Sequence, residues 1–202
     1  MSLTLTALLS FASKSDASPP PRYACPSQVE PLVALMLGNL ASYTNRVIAR
    51  STPRGNPNRS YVLTAGRPEF EPLPLSPDGV ASLGNSSGNP DPNLRQVFIT
   101  TLERQTLGRP RSKESTEVYL QGFHWLFLTK TGSEWQLALL FSQIGTYPKA
   151  PVAASSKGAL GESPPRESSQ GILGQAIRTW LRDCNAGVVR PLKSDNLLDK
   201  TG

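Results

Sequence analysis

From Gly122 to Tyr147 the chain reads Gly-Phe-His-Trp-Leu-Phe-Leu-Thr-Lys-Thr-Gly-Ser-Glu-Trp-Gln-Leu-Ala-Leu-Leu-Phe-Ser-Gln-Ile-Gly-Thr-Tyr. Two strongly apolar runs, rich in aromatic and aliphatic residues, flank Lys130-Thr131-Gly132-Ser133, where a glycine stands at the reversal. That pattern predicts a β-hairpin, with arms over residues 116–130 and 134–144. Side chains alternate across a strand, so Tyr119, Phe123, Trp125 and Phe127 fall on one face and Val118, Leu120, Leu126 and Leu128 on the other. Both faces are apolar, which places the hairpin at the centre of a sheet covered on both sides.

Working outward, Gln96 to Leu102 and Tyr61 to Ala65 read as further strands, and Arg67 to Leu75, spaced by Pro68, Pro72 and Pro74, reads as an extended sheet edge. Ahead of the strands, Ser27 followed by Glu30 has the form of a capping box, and Val29, Leu32, Val33, Met36, Leu37 and Leu40 recur at helical spacing. Gly38-Asn39 marks a break before a second helical segment over residues 40–50. After the hairpin, Ser169 precedes an amphipathic helix. Leu173, Ala176, Ile177, Trp180, Leu181 and Cys184 line one side of it, Gln175, Arg178 and Arg182 another, and Asn185-Ala186-Gly187 stops it. The expected fold is α+β: a mainly antiparallel sheet with a central long hairpin, packed by N-terminal and C-terminal helices.

The 202 residues, 38% of them apolar, suffice for one domain. Proline (19) and glycine (16) fall in blocks that divide the chain. Residues 1–24 read as a signal peptide or disordered leader, 25–190 as a single domain with mobile loops at 76–93 and 148–168, and 191–202 as a polar tail. Leu3 to Ala12 has the length of a signal-peptide core and Ser15-Asp16-Ala17 supplies small residues for cleavage, although no Lys or Arg precedes the apolar run. No run approaches the roughly 18 apolar residues of a membrane span, so the mature chain is expected to carry no transmembrane segment.

Cys25 and Cys184, the two cysteines, stand near opposite ends of the domain. One disulfide is the expectation, two buried thiols the alternative; the bond would close a loop of about 160 residues, for which chain entropy gives about 5 kcal/mol. An oxidised pair also argues for export. Two cysteines and one histidine lack the paired spacing of a zinc site, so neither metal nor cofactor is expected.

The net charge of +6 comes mostly from arginine, fourteen against seven lysines. Arg46, Arg50, Arg54 and Arg59 form one acid-free group, and Arg104, Arg109, Arg111 and Lys113 another. No nucleic-acid module accompanies the charge, which argues against a nucleic-acid partner and leaves an anionic membrane surface open. Gly84-Asn85-Ser86-Ser87-Gly88 has the spacing of a nucleophile elbow but lies in a polar loop with no strand before it. His124, the single histidine, sits among apolar neighbours and reads as a hydrogen-bonded core residue before a general base. Glu69 and Glu71 alternate along an extended segment, where an acid/base pair competes with a solvated pair or with ion pairing to Arg67 and Arg104, a cluster that Glu103-Arg104 would join. No catalytic residue is assigned; the candidate binding residues are Arg46, Arg50, Arg67, Glu69, Glu103, Arg104 and His124.

Tyr43-Thr44-Asn45-Arg46-Val47-Ile48, the stretch from Ala65 to Leu73, the hairpin from His124 and the stretch from Gly171 to Cys184 together resemble an uncharacterised conserved protein family of cyanobacteria. The resemblance spans most of residues 25–190. It implies a bacterial source and no particular chemistry; for an exported protein of such a source the destination is the periplasm or the thylakoid lumen, the alternative being the cytoplasm. The expected role is a non-catalytic exported module that binds or assembles with a protein partner. The alternatives are a small enzyme using carboxylates and arginines, and a binder of nucleic acid or anionic surfaces.

Overall fold

A computed structural model of the chain describes residues 22–70, 93–108, 115–146 and 164–191. The expectations for the leader before residue 22, for most of the 76–93 and 148–168 loops and for the tail after 191 lie outside the described residues. Those described form helix α1 (Val29–Ser51), strands β1 (Arg59–Ala65), β2 (Leu94–Gly108), β3 (Ser115–Thr131), β4 (Glu134–Thr146) and β5 (Arg166–Glu167), and helix α2 (Ile172–Asn185). The strands lie in chain order in one sheet, β1-β2-β3-β4-β5, every pair antiparallel. The α+β reading holds, and the hairpin's first arm is the middle strand.

The hairpin turns on Gly132, whose φ of +61° is the positive value a tight loop demands, and Thr131 pairs with Glu134 across it. From there the register runs Leu126 to Leu140 and Trp125 to Phe141. Beyond β1, Gly66 N–H bonds Thr100 O, and Glu69 exchanges two main-chain hydrogen bonds with Phe98, so the chain continues along the sheet as far as residue 70, while residues 71–75 of the expected edge lie outside the described residues.

Alternation assigns the two faces. Val97 and Ile99 of β2, Leu126 and Leu128 of β3, and Trp135, Leu137 and Leu140 of β4 face the helices and form one core with Leu32, Val33, Met36 and Leu40 of α1 and Ile177, Trp180, Leu181 and Cys184 of α2. Burying each such side chain contributes about 1.5–3 kcal/mol. The other face carries a second cluster, Trp125 and Phe127 with Leu94, Phe98, Phe123, Leu139 and Phe141. Phe98 tilts against Trp125 at 5.2 Å between ring centres, and Phe127 meets Phe141 edge-on at 6.2 Å.

Local signals were overruled at two helix positions. α1 does not break at Gly38-Asn39: Asn39 Nδ2 bonds the Leu35 carbonyl one turn back, and the buried Met36 and Leu40 on either side hold one continuous stripe on the sheet. Its N-cap is Gln28, without a side-chain cap bond, rather than Ser27, whose carbonyl instead accepts from Lys130 Nζ. α2 is capped by Gly171, and Ser169 before it is drawn down onto β4. The C-terminal stop reads true: Gly187, at φ +75°, lets Val188 N–H reach Asp183 O and its own N–H reach Cys184 O, a Schellman closure.

Cys25 and Cys184 are joined, with Cα atoms 5.2 Å apart and a separation of 159 positions along the chain. Around the bond, Tyr23 N–H donates to Gly187 O and Trp135 Nε1 to Pro26 O, which fastens the segment around Cys25 to both α2 and the hairpin. Arg166–Glu167, expected within the tether, forms β5 against Phe141 and Ser142.

Candidate functional site: the open edge of β4

β5 pairs with β4 only at Phe141 and Ser142. What happens along the rest of that edge follows from which peptide groups point outward. Leu140 turns both outward: its N–H donates to Ser169 Oγ at 2.8 Å and its carbonyl accepts from Ser168 N–H at 2.8 Å. At the other end Trp135 does the same toward Asn185, whose Oδ1 accepts from Trp135 N–H at 3.2 Å and whose Nδ2 donates to Trp135 O at 3.0 Å. Residues of a strand point their peptide groups outward and inward alternately, so Leu137 faces the edge as Trp135 does; the register shift opposite Phe127 and Leu128 then restores the alternation at Leu140. Among the described residues nothing pairs with the Leu137 N–H or carbonyl. Leu137 is thus an open rung between two closed ones.

Beside this rung α2 leaves a cavity of about 480 Å³, lined by Glu134, Trp135, Gln136, Leu137, Arg178, Leu181, Arg182, Asn185 and Ala186. The helix presents two arginines one turn apart. Arg178 Nη1 donates to Ser169 O and Gln170 Oε1, and Arg182 Nε and Nη2 both donate to Asp183 Oδ1. Asp183 also accepts from Tyr43 of α1 at 3.0 Å; burial, reinforced by that bond, raises the Tyr43 phenol above its usual pKa. Close packing of Gly174 on Ser169 holds the start of α2 against the edge, since a Cβ at 174 would lie 2.1 Å from Ser169 O.

The residues singled out from sequence occupy other places. Arg46 lies 4.0 Å from the centre of the Tyr43 ring, and Arg50 closes the last turn of α1. Arg67 and Glu69 are exposed on the segment that bridges to Phe98. Glu103 and Arg104 point to opposite faces of β2: Arg104 sits 3.9 Å from Glu117 and 5.9 Å from the Tyr61 ring, while Glu103 is drawn inward beside Thr101, its carboxyl raised by burial against the lowering effect of the Thr101 bond. An ionic cluster joining Arg67, Glu69, Glu103 and Arg104 does not form among the described residues.

His124 does gather partners. Its Nε2 lies 2.9 Å from Thr101 Oγ1 and its Nδ1 2.9 Å from Ser142 Oγ, which is 2.7 Å from Ser168 Oγ. The ring therefore ties β2, β3 and β4 together and ends at the serine that closes the Leu140 rung. It leans over Gly122, where a Cβ would come 2.4 Å from Nε2. Burial lowers its pKa to about 4, so the ring is neutral at pH 7, with one nitrogen donating and the other accepting.

Sequence reasoning placed Arg178 and Arg182 on one side of α2 but missed the groove, because Asn185 reads as a helix stop, Ser168 as the end of a mobile loop and Ser169 as the residue before a helix. Their work as stand-ins for a neighbouring strand depends on a partner fifty residues or, for Leu140 and Ser169, 29 residues away in the chain. No protein-family model matches this chain, and no curated protein or solved structure shows significant similarity to it.

Proposed function

We propose that the protein is an exported, non-catalytic module that binds a partner protein along the β4 edge. The observation that carries the reading is the rung at Leu137, open among the described residues and set in a groove between a strand edge and a helix that offers two arginines. A strand edge supplies affinity through main-chain hydrogen bonds, and flanking pockets supply specificity. The Cys25–Cys184 disulfide supports export, because such bonds persist in oxidising compartments; no described helix is long and apolar enough to cross a membrane. A bacterial envelope compartment accords with the resemblance noted above. For the enzyme alternative, Glu103 and His124 meet through Thr101 on one face of the sheet, while Arg67 and Glu69 are exposed on the segment that bridges to Phe98.

The test is photo-crosslinking in the native extract with benzoylphenylalanine placed at Ala138, exposed on the β4 edge, and in parallel at Tyr61, exposed on β1. The reading expects one defined protein adduct from Ala138 and none from Tyr61. Equal adducts from both positions, or none from Ala138, would reject it.

A further inference from the structure

We propose, resting on that reading, that the segment taken up in the β4 groove is the extended C-terminal end of the partner, its free carboxylate held by Arg178 and Arg182. The rung at Leu137 offers one N–H and one carbonyl, and it is closed on both sides, by Asn185 at Trp135 and by Ser168 and Ser169 at Leu140. From Trp135 to Leu140 the edge measures about 16 Å at the rise of a strand. A segment running through this window must bend away from the sheet twice, once before each closed rung. A chain that ends inside the window bends away once. The short window therefore selects a terminus over an internal stretch.

Charge selects which terminus. Arg178 and Arg182 line the cavity with Glu134, and Arg182 already shares Asp183. Each guanidinium carries five N–H donors. Arg178 directs Nη1 to Ser169 and Gln170, and Arg182 directs Nε and Nη2 to Asp183, so both keep donors for an incoming anion. Arginine meets a carboxylate through paired, charge-assisted bonds, whereas a terminal ammonium would meet two cations. Leu137 and Leu181 complete the wall against which an apolar last side chain packs. The volume of about 480 Å³ lies in the range of sites that enclose a small ligand, which suits the last few residues of a chain rather than a long strand.

Panning of two random heptapeptide libraries against the full-length oxidised protein tests this, one library displayed with free C-termini and the other as an internal loop. Enrichment from the free-terminus library alone is expected. The selected peptide should shift the Leu137 amide resonance and slow its exchange with solvent, while its C-terminal amide should bind at least tenfold more weakly. Arg182→Gln should weaken the free acid about tenfold and leave the affinity of the amide unchanged; Arg182 is exposed, so this variant folds, whereas Arg178→Gln would also remove the bond to Ser169 O. Equal binding of acid and amide, enrichment from the loop library alone or from neither library, or shifts away from Leu137 would each overturn the proposal. Those results leave the crosslinking at Ala138 untouched: an adduct there to an internal residue of a partner keeps the binding reading and rejects the terminus.

Discussion

Asn185 and Trp135 exchange two hydrogen bonds, Nδ2 to O at 3.0 Å and N–H to Oδ1 at 3.2 Å, so that one side chain of α2 substitutes for a neighbouring strand. The bond pair closes one end of the β4 edge and also fixes the C-terminal turn of α2 to the hairpin. Asn185→Ala should cost about 1–2 kcal/mol, the scale of two partly exposed hydrogen bonds. It should also open a second rung, seen as faster amide exchange at Trp135 with no change at Leu140. Unchanged exchange at Trp135 would show that the side chain is not what protects it.

The disulfide is expected to carry a large share of the stability. With the cysteines 159 positions apart in the chain, loop-closure entropy assigns the bond about 5 kcal/mol as an upper figure. Denaturation in urea with and without reductant should show a lower midpoint on reduction. The amides of α2 should lose protection first, because Cys184 lies in its last turn while Cys25 stands outside any helix. A midpoint that does not move on reduction would contradict this.

His124 predicts acid sensitivity. Its folded pKa, lowered by burial to about 4 from an ordinary 6.5, means that the unfolded chain binds the proton first as pH falls. The contribution is fully present above pH 6.5 and declines between 6.5 and 4, by about 3 kcal/mol in total. Glu103, whose carboxyl is raised by burial, acts in the opposite sense, favouring the fold where it is protonated and losing that as pH rises through its shifted range. Comparing wild type with His124→Gln isolates the ring: the wild-type unfolding free energy should fall more steeply from pH 6.5 to 4. Parallel pH profiles would exclude the mechanism.

Gly174 is buried within α2, where alanine would ordinarily favour the helix by about 0.8–1 kcal/mol. Here a Cβ would lie 2.1 Å from Ser169 O and 2.6 Å from its carbonyl carbon. Gly174→Ala should therefore destabilise the protein, by about 1–3 kcal/mol, and free Ser169 from the Leu140 rung. The check is a lower melting temperature with faster exchange at Leu140. A stabilised variant would mean that α2 moves off the edge at little cost.

Elements with a strong local period were legible from residue types alone. The alternation in residues 116–130 and 134–144 places the hairpin, its turn and its two faces, and β3 and β4 extend one or two residues further at their ends. Boundaries that depend on distant packing were not. Gly38-Asn39 is a breaker by propensity, yet the stripe from Leu32 to Leu40 runs through it because the sheet rewards an unbroken helix. Among the candidate residues, His124 was read as a hydrogen-bonded core residue and is one, while of the carboxylates read as a solvated pair or ion-pair partners Glu69 is exposed and Glu71 lies outside the described residues, and adjacent residues 103 and 104 face opposite ways.

The amino-acid sequence by itself determined the long strands, the last helix and the antiparallel hairpin at their centre, and made a disulfide the expectation for its two cysteines, because periodicity, turn chemistry and residue counts act over short stretches or through composition. Only the tertiary structure decided that Asn185, Ser168 and Ser169 close two rungs of β4 and leave Leu137 open beside Arg178 and Arg182. A hydrogen bond between a side chain and a distant strand leaves no period in the sequence. It exists because α2 and the chain before it are folded back onto the one edge of the sheet that β5 covers only at Phe141 and Ser142.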